Sequence, residues 1–183
     1  MMQPHYFLGL EVDKELATAV SYWLGGTMGN HFKQYVHPLD YHITVAFLGD
    51  RNPKQIDGQL ADIIGEIPSI KMELTEVDLF GLEKKPRIFW IGLKYNQSLF
   101  FLKKEVDKII AEHGYKIDTR PYTPHITLSK RWISENEFQR EKINHLFPFK
   151  GHTFSVNELH LYETNIHRSP KYKKIQSWEF TEK

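Results

Sequence analysis

The chain has 183 residues, ten histidines and no cysteine, with 24 Lys+Arg against 23 Asp+Glu and a formal net charge of +1. These figures exclude a disulfide framework, a cysteine nucleophile and every thiolate-held zinc or iron–sulfur site. They also lack the basic excess that coats nucleic acid nonspecifically, so any nucleic-acid contact is expected to be local. At 40% hydrophobic and 14% aromatic, the chain can build a packed core in one domain or two small lobes. No run approaches the roughly 18 apolar residues of a membrane span. The leading Met1-Met2-Gln3-Pro4-His5 lacks the basic stretch and apolar run of a secretory signal. A cytoplasmic protein without membrane contact is the expectation.

In chain order, Tyr6 to Val12 reads as a strand. A helix then starts at the N-cap candidate Asp13, carries Leu16, Val20, Trp23 and Leu24 on one face, and is expected to end at Gly25, Gly26 and Gly29. After a loop, His42 to Leu48 is the second strand. Asn52-Pro53 has the form of a helix start, followed by a stripe of Ile56, Leu60, Ile63, Ile64 and Ile67. Ile70 to Phe80 and Arg87 to Leu93 are strands joined by residues 81–86. A third helix spans about Ser98 to His113, with Leu99, Leu102, Val106, Ile109 and Ile110 aligned and Gly114 as its stop. His125 to Leu128 is a strand. Ser134 and Glu137 have capping-box spacing, predicting a short helix. Strands near 153–162 and 175–180 close the chain, with a polar, basic loop over 163–174.

The order strand, helix, His-Ile-Thr strand, helix, strand occurs over about residues 6–80 and again over about 87–162. The two histidines lie 83 residues apart and the expected following helix starts, Asn52 and Ser134, 82 apart. The pattern predicts an α+β fold in which a duplicated unit makes two lobes related by a pseudo-two-fold axis, over a single domain of residues 1–183.

A His-x-Thr triplet alone is weak. Ten histidines and ten threonines give about 0.5 by chance, falling to about 0.01 when isoleucine must lie between and an aliphatic residue must follow. Two matched copies are therefore informative. On a strand, residues i and i+2 share a face, about 6–7 Å apart. His42 and Thr44 thus share one face, as do His125 and Thr127, while Ile43, Val45, Ile126 and Leu128 take the other. Two imidazoles and two hydroxyls around one small volume suit a tetrahedral phosphate. One imidazole accepts a proton from water, the other protonates a leaving oxygen, and the hydroxyls donate to non-bridging oxygens. No His-Glu-x-x-His or His-x-His pattern suggests a metal, and no cofactor is expected.

His42-Ile43-Thr44-Val45-Ala46-Phe47-Leu48-Gly49 and Pro124-His125-Ile126-Thr127-Leu128 resemble the paired motifs of the two-histidine (2H) phosphoesterases. The similarity is greatest to the bacterial and archaeal RNA 2′,3′-cyclic phosphodiesterases, often labelled 2′-5′ RNA ligases. It extends to Tyr6-Phe7-Leu8-Gly9-Leu10, Pro86-Arg87-Ile88-Phe89-Trp90 and Leu161-Tyr162-Glu163. The resemblance implies two small antiparallel sheets facing a central cleft, with helices outside. It implies metal-independent hydrolysis of RNA or nucleotide 2′,3′-cyclic phosphate ends to 2′-phosphates, with His42 and His125 catalytic and Thr44 and Thr127 holding phosphate. His125 is expected as the base and His42 as the acid, with the reverse order the alternative, because the sequence does not orient the substrate. Where the family commonly has arginine, this chain has Lys130, which supplies charge without a bidentate fork.

Arg120 and Lys130 flank the second motif and are candidate phosphate contacts. Tyr41, Phe47, Trp90 and Tyr122 are candidates to stack a base. The cations at 167, 168, 171, 173 and 174 form a candidate RNA-backbone site, and the other eight histidines are expected at the surface or at helix ends. RNA ends, tRNA-derived ones included, or cyclic nucleotides are the expected partners of a monomer. The alternatives are 2′-5′ ligation of RNA halves, another substrate such as ADP-ribose cyclic phosphate or a 2′-5′ oligoadenylate, and a noncatalytic RNA- or nucleotide-binding module.

Overall fold

The computed structural model describes residues 4–51 and 53–181. Strands β1 (His5–Glu11), β2 (Phe32–Tyr35), β3 (His42–Gly49), β4 (Ile70–Leu82) and β5 (Lys85–Leu93) are interleaved with helices α1 (Lys14–Met28) and α2 (Asp57–Ile64). Helix α3 (Gln97–Glu112), β6 (His125–Trp132), α4 (Arg140–Leu146), β7 (Thr153–Val156), β8 (Glu158–Thr164) and β9 (Tyr172–Glu179) follow. None of these helices is long and apolar enough to cross a membrane.

The helices follow from local chemistry. The Asp13 side chain accepts the Leu16 N–H at 2.9 Å and starts α1. That helix runs through Gly25 and Gly26, against expectation, because Leu24 and Met28 are buried on its inner face. It stops at Gly29, whose φ of 49° suits a residue without Cβ. Asn96 caps α3 through the Leu99 N–H, and the helix ends before Gly114, at φ 70°. Leu99, Leu102, Val106, Ile109 and Ile110 of α3 are all buried in one core with Ile43, Val45, Ile126 and Leu128. Burying each such side chain contributes about 1.5–3 kcal/mol.

The second half corrects one expectation. Ser134 starts no helix; its hydroxyl accepts the Asn136 N–H in a local turn, and Glu137 instead pairs with Lys84. Helix α4 begins at Arg140. Since α2 begins at Asp57, the two helices start 83 residues apart, the same separation as the two histidines. Asn52 lies outside the described residues, and Pro53 stands just before a short 3-10 turn, Lys54–Ile56, that leads into α2.

The strands form a curled antiparallel path, β7-β4-β5-β6-β3-β1-β8-β9, with β2 paired to β6. Its two arms, the sheets implied by the resemblance, meet at one residue pair, Ile43 opposite Ile126. The topology is strand-exchanged. β4, from the first half of the chain, pairs with β5, and β8, from the second half, pairs with β1. Each lobe therefore contains strands from both halves, and the seam between β3 and β6 lies at the centre.

Ile126 is 1% exposed at this seam. Ile126→Ala is expected to lower stability by about 2–5 kcal/mol in urea unfolding, because the lost side chain leaves a cavity between two strands held by a single bridge.

Candidate active site

The seam brings the two motif strands side by side. Ile43 and Ile126 turn into the core, so their neighbours His42, Thr44, His125 and Thr127 occupy the opposite, half-buried face. The pairing across β1 and β5 is equivalent on both sides. Glu11 lies opposite His42 and Gly9 opposite Thr44, while Gly92 lies opposite His125 and Trp90 opposite Thr127.

Both imidazoles are held in the same way. His42 Nδ1 is 2.7 Å from the Asp40 carbonyl oxygen, and His125 Nδ1 is 2.7 Å from that of Thr123. A carbonyl only accepts, so Nδ1 carries the proton in each ring and Nε2 of the neutral imidazole keeps its lone pair. His42 Nε2 lies 3.1 Å from Thr44 Oγ1, which places imidazole and hydroxyl at one point.

Aromatic rings wall both histidines. Phe7 lies 4.7 Å and Tyr172 5.0 Å from His42, ring centre to ring centre, with Tyr172 edge-on and Tyr162 at 6.0 Å. Phe80 and Trp90 lie 5.1 Å and 5.4 Å from His125. This desolvation pushes the His42 imidazole down to about 4, against the hydrogen bond to the Asp40 carbonyl and, less strongly, the buried Asp40 carboxylate, which pull it up; His125 and Lys130 lower it further. Burial also lowers His125, against the stabilising bond to Thr123. Both rings thus favour the neutral form near pH 7.

Lys130, on β6, is half-buried and its charge reaches His42. Arg120 is not gathered with these groups. It lies on the exposed loop before β6, with its guanidinium on the Asp118 carboxylate. Of the four stacking candidates, Trp90 faces His125, and Tyr122 donates its hydroxyl to the Thr44 carbonyl at 2.9 Å. Tyr41 is buried in the core and Phe47 is 64% exposed. Beyond Thr123 and Pro124 a groove of about 880 Å³ opens, lined by Trp90, Gly92, Phe100, Tyr122 and Arg140 among others. Among the described residues no three histidines or carboxylates converge to hold a metal.

Three site features escape the sequence reading. A Cβ on Gly9 would lie 3.2 Å from the Ile43 carbonyl oxygen and 3.3 Å from Phe7 Cε2, so the glycine lets β3 and the Phe7 ring pack closely beside His42. Asp40 is a buried carboxylate whose role no local motif announces. His160, expected at the surface, is 2% exposed on β8, its Nδ1 2.7 Å from Ser177 Oγ.

Burial pushes His160, like His42, down to about 4, from an ordinary value near 6.5. The unfolded chain therefore binds protons that the folded chain does not, and stability is complete above about pH 6.5 and falls as pH drops towards 4. Each residue accounts for up to roughly 3 kcal/mol of that loss. In urea unfolding between pH 7 and pH 5, the stability of His160→Asn should vary less steeply with pH than that of the unaltered protein.

The family model described as 2′-5′ RNA ligase superfamily matches residues 13–168. An RNA 2′,3′-cyclic phosphodiesterase of Bacillus subtilis (strain 168) is 30% identical over 185 residues, 98% of each chain. Another, of Geobacillus stearothermophilus, is 35% identical over 182 residues, 97% of this chain; the chain spans 58% of that relative's length. Among solved structures, E. coli LigT complexed with 3′-AMP has a TM-score of 0.78 at 21% identity, over 98% of this chain and 99% of that one. TT0787 of Thermus thermophilus gives 0.76 at 17% identity, with the same coverage. Paired His-Ile-Thr strands on a curled sheet, and a family match over most of the length, lead to one assignment: the chain belongs to the 2′-5′ RNA ligase superfamily of two-histidine phosphoesterases.

Proposed function

We propose that the protein hydrolyses 2′,3′-cyclic phosphate ends of RNA or nucleotides to 2′-phosphates, without a metal, in a single bilobal domain built from repeats at about 6–80 and 87–162. The observation that carries this reading is the matched pair of imidazoles, each fixed at Nδ1 by the carbonyl two residues upstream, on adjoining strands at the seam. The names of the B. subtilis and G. stearothermophilus relatives support the same activity.

In this mechanism Thr44 and Thr127 donate hydroxyl protons to the non-bridging oxygens, and Lys130 adds positive charge. His125 Nε2 takes a proton from water as the water oxygen attacks phosphorus. The P–O3′ bond breaks, and O3′ takes a proton from Nε2 of protonated His42, leaving a 3′-hydroxyl and a 2′-phosphate. The bound phosphate anion raises the imidazole pKa values. At His42 the buried Asp40 carboxylate also favours the charged ring, in opposition to the burial that holds it down.

The test is turnover of a 2′,3′-cyclic-ended oligonucleotide in EDTA, with product mapping. A 2′-phosphate product is expected, and His42→Ala and His125→Ala should each lose roughly 10²–10⁴ in kcat/KM. Equal turnover by the two variants and the unaltered protein, or a 3′-phosphate product, contradicts the proposal. Gly9→Ala should fold and lose on the order of tenfold in kcat, because its methyl group crowds the Ile43 carbonyl and the Phe7 ring that packs on His42, and so displaces the imidazole by a fraction of an ångström.

A further inference from the structure

The seam between the two motif strands is short, with Ile43 matched to Ile126. Continued in the same antiparallel register, Thr44 stands opposite His125 and Val45 opposite Pro124. Proline has no backbone N–H, so the chain entering β6 has one donor fewer to offer β3 here. A side chain two residues earlier supplies a donor. Tyr122 Oη donates to the Thr44 carbonyl oxygen at 2.9 Å, across 78 positions of sequence.

The half-buried Tyr122 is held from behind by α3. Its ring and that of Phe100 make a T-shaped contact, 5.4 Å between centres. The Lys103 ammonium stands 5.4 Å from the Tyr122 ring centre and is itself paired with Asp107. Burial, with the Asp107 carboxylate nearby, raises the phenol well above its ordinary value near 10, so at neutral pH it stays a donor.

The next residue carries the other half of the link. The Thr123 carbonyl oxygen accepts the His125 Nδ1–H at 2.7 Å. Tyr122 and Thr123 are adjacent, so one peptide unit joins the strand of His42 and Thr44 to the group that orients His125. The first half is built differently. By the 83-residue offset of the two motifs, its equivalent of Tyr122 is Leu39, which is 56% exposed. Its equivalent of Thr123 is Asp40, whose side chain is anchored elsewhere. Asp40 Oδ2 accepts the Lys171 N–H at 2.8 Å and Oδ1 the Tyr172 N–H at 3.0 Å, at the end of the β8–β9 loop. At the seam, the Ile43–Ile126 pair decides which faces meet, by a contact without direction. The Tyr122 bond is directional and fixes how far Thr44 stands from the Thr123–His125 segment.

We propose that Tyr122 is a positioning residue: through its bond to the Thr44 carbonyl it sets the separation of the His42–Thr44 pair from His125. This rests on the assignment of the reaction to His42 and His125. The Tyr122 hydroxyl moves no proton in the reaction, being committed to the carbonyl. Its loss misaligns two imidazoles that must act on one phosphorus together. A misplacement of about 1 Å can cost on the order of 10²-fold in rate, and removal of one hydroxyl under a ring still packed on α3 is a smaller displacement.

The test is Tyr122→Phe, which deletes the hydroxyl and keeps the ring, assayed on a 2′,3′-cyclic-ended oligonucleotide, alone and combined with His125→Ala. In Tyr122→Phe, kcat should fall about tenfold while KM stays within about twofold. In the His125→Ala background no second imidazole is left to align, and the same substitution should cost less than about twofold. Circular dichroism at the assay temperature checks that each variant is folded. A merely structural tyrosine gives the same proportional loss in both backgrounds; that result, or an unchanged kcat in Tyr122→Phe, overturns the proposal. Nuclear magnetic resonance of the histidine rings gives a readout independent of turnover. At saturating inorganic phosphate, the ratio of the Nε2 shifts of His42 and His125 should differ by about twofold or more between the unaltered protein and Tyr122→Phe. An identical ratio overturns the role of Tyr122. If the unaltered protein leaves cyclic ends intact, the catalytic assignment fails instead, and the shift ratio still decides the positioning.

Discussion

A hydrogen bond from an imidazole Nδ1–H to the carbonyl two residues upstream fixes what each motif histidine does. Without it the ring has two tautomers and a free rotor. With it, Nε2 of each neutral ring keeps its lone pair and takes one direction. The geometry needs a chain bend just before the strand, provided at His42 by the Pro38–Asp40 turn and at His125 by the 123–124 approach. It also needs the strand to hold the following isoleucine in the core. The catalytic face and the apolar face are two sides of the same pleat, so packing at the Ile43–Ile126 seam and orientation of the histidines are one constraint.

The two halves are equivalent in backbone and unequal in chemistry. His42 sits among three aromatic rings with a buried carboxylate behind it, and His125 against Phe80 and Trp90. Where the first half has Gly9 opposite its threonine, the second has Trp90. Acid and base work requires two groups with different proton affinities, and a duplicated scaffold supplies equal positions that differ only through their neighbours. The asymmetry around Asp40 is such a difference, and it also draws the basic β8–β9 loop to the mouth of the cleft.

Much of this arrangement was legible in the sequence. Period-2 patterning in the His-Ile-Thr segments and the aligned stripe of α3 are strong local signals, and both elements lie where expected. Most of the missed features have nonlocal causes. Phe32–Tyr35 is a four-residue strand made by pairing to β6, with too few residues to show alternation. Gly25 and Gly26 are helical because burial of Leu24 and Met28 outweighs a weak propensity. Ser134 has cap spacing, yet its hydroxyl is used in a turn, and α4 begins where Arg140 meets Asp78 and Glu83. Asp40 acts on amides 131 and 132 positions away and Gly9 on the backbone of another strand, whereas Arg120 is taken locally, by Asp118 two residues away.

The pairing of the two imidazoles is most directly tested by ¹⁵N nuclear magnetic resonance of the histidine rings near pH 7, before and after addition of inorganic phosphate. His42 and His125 are expected both to be neutral and protonated at Nδ1 in the free protein, and phosphate is expected to shift the Nε2 resonances of both together. An Nε2–H tautomer at either residue, or a response at one ring without the other, would contradict it.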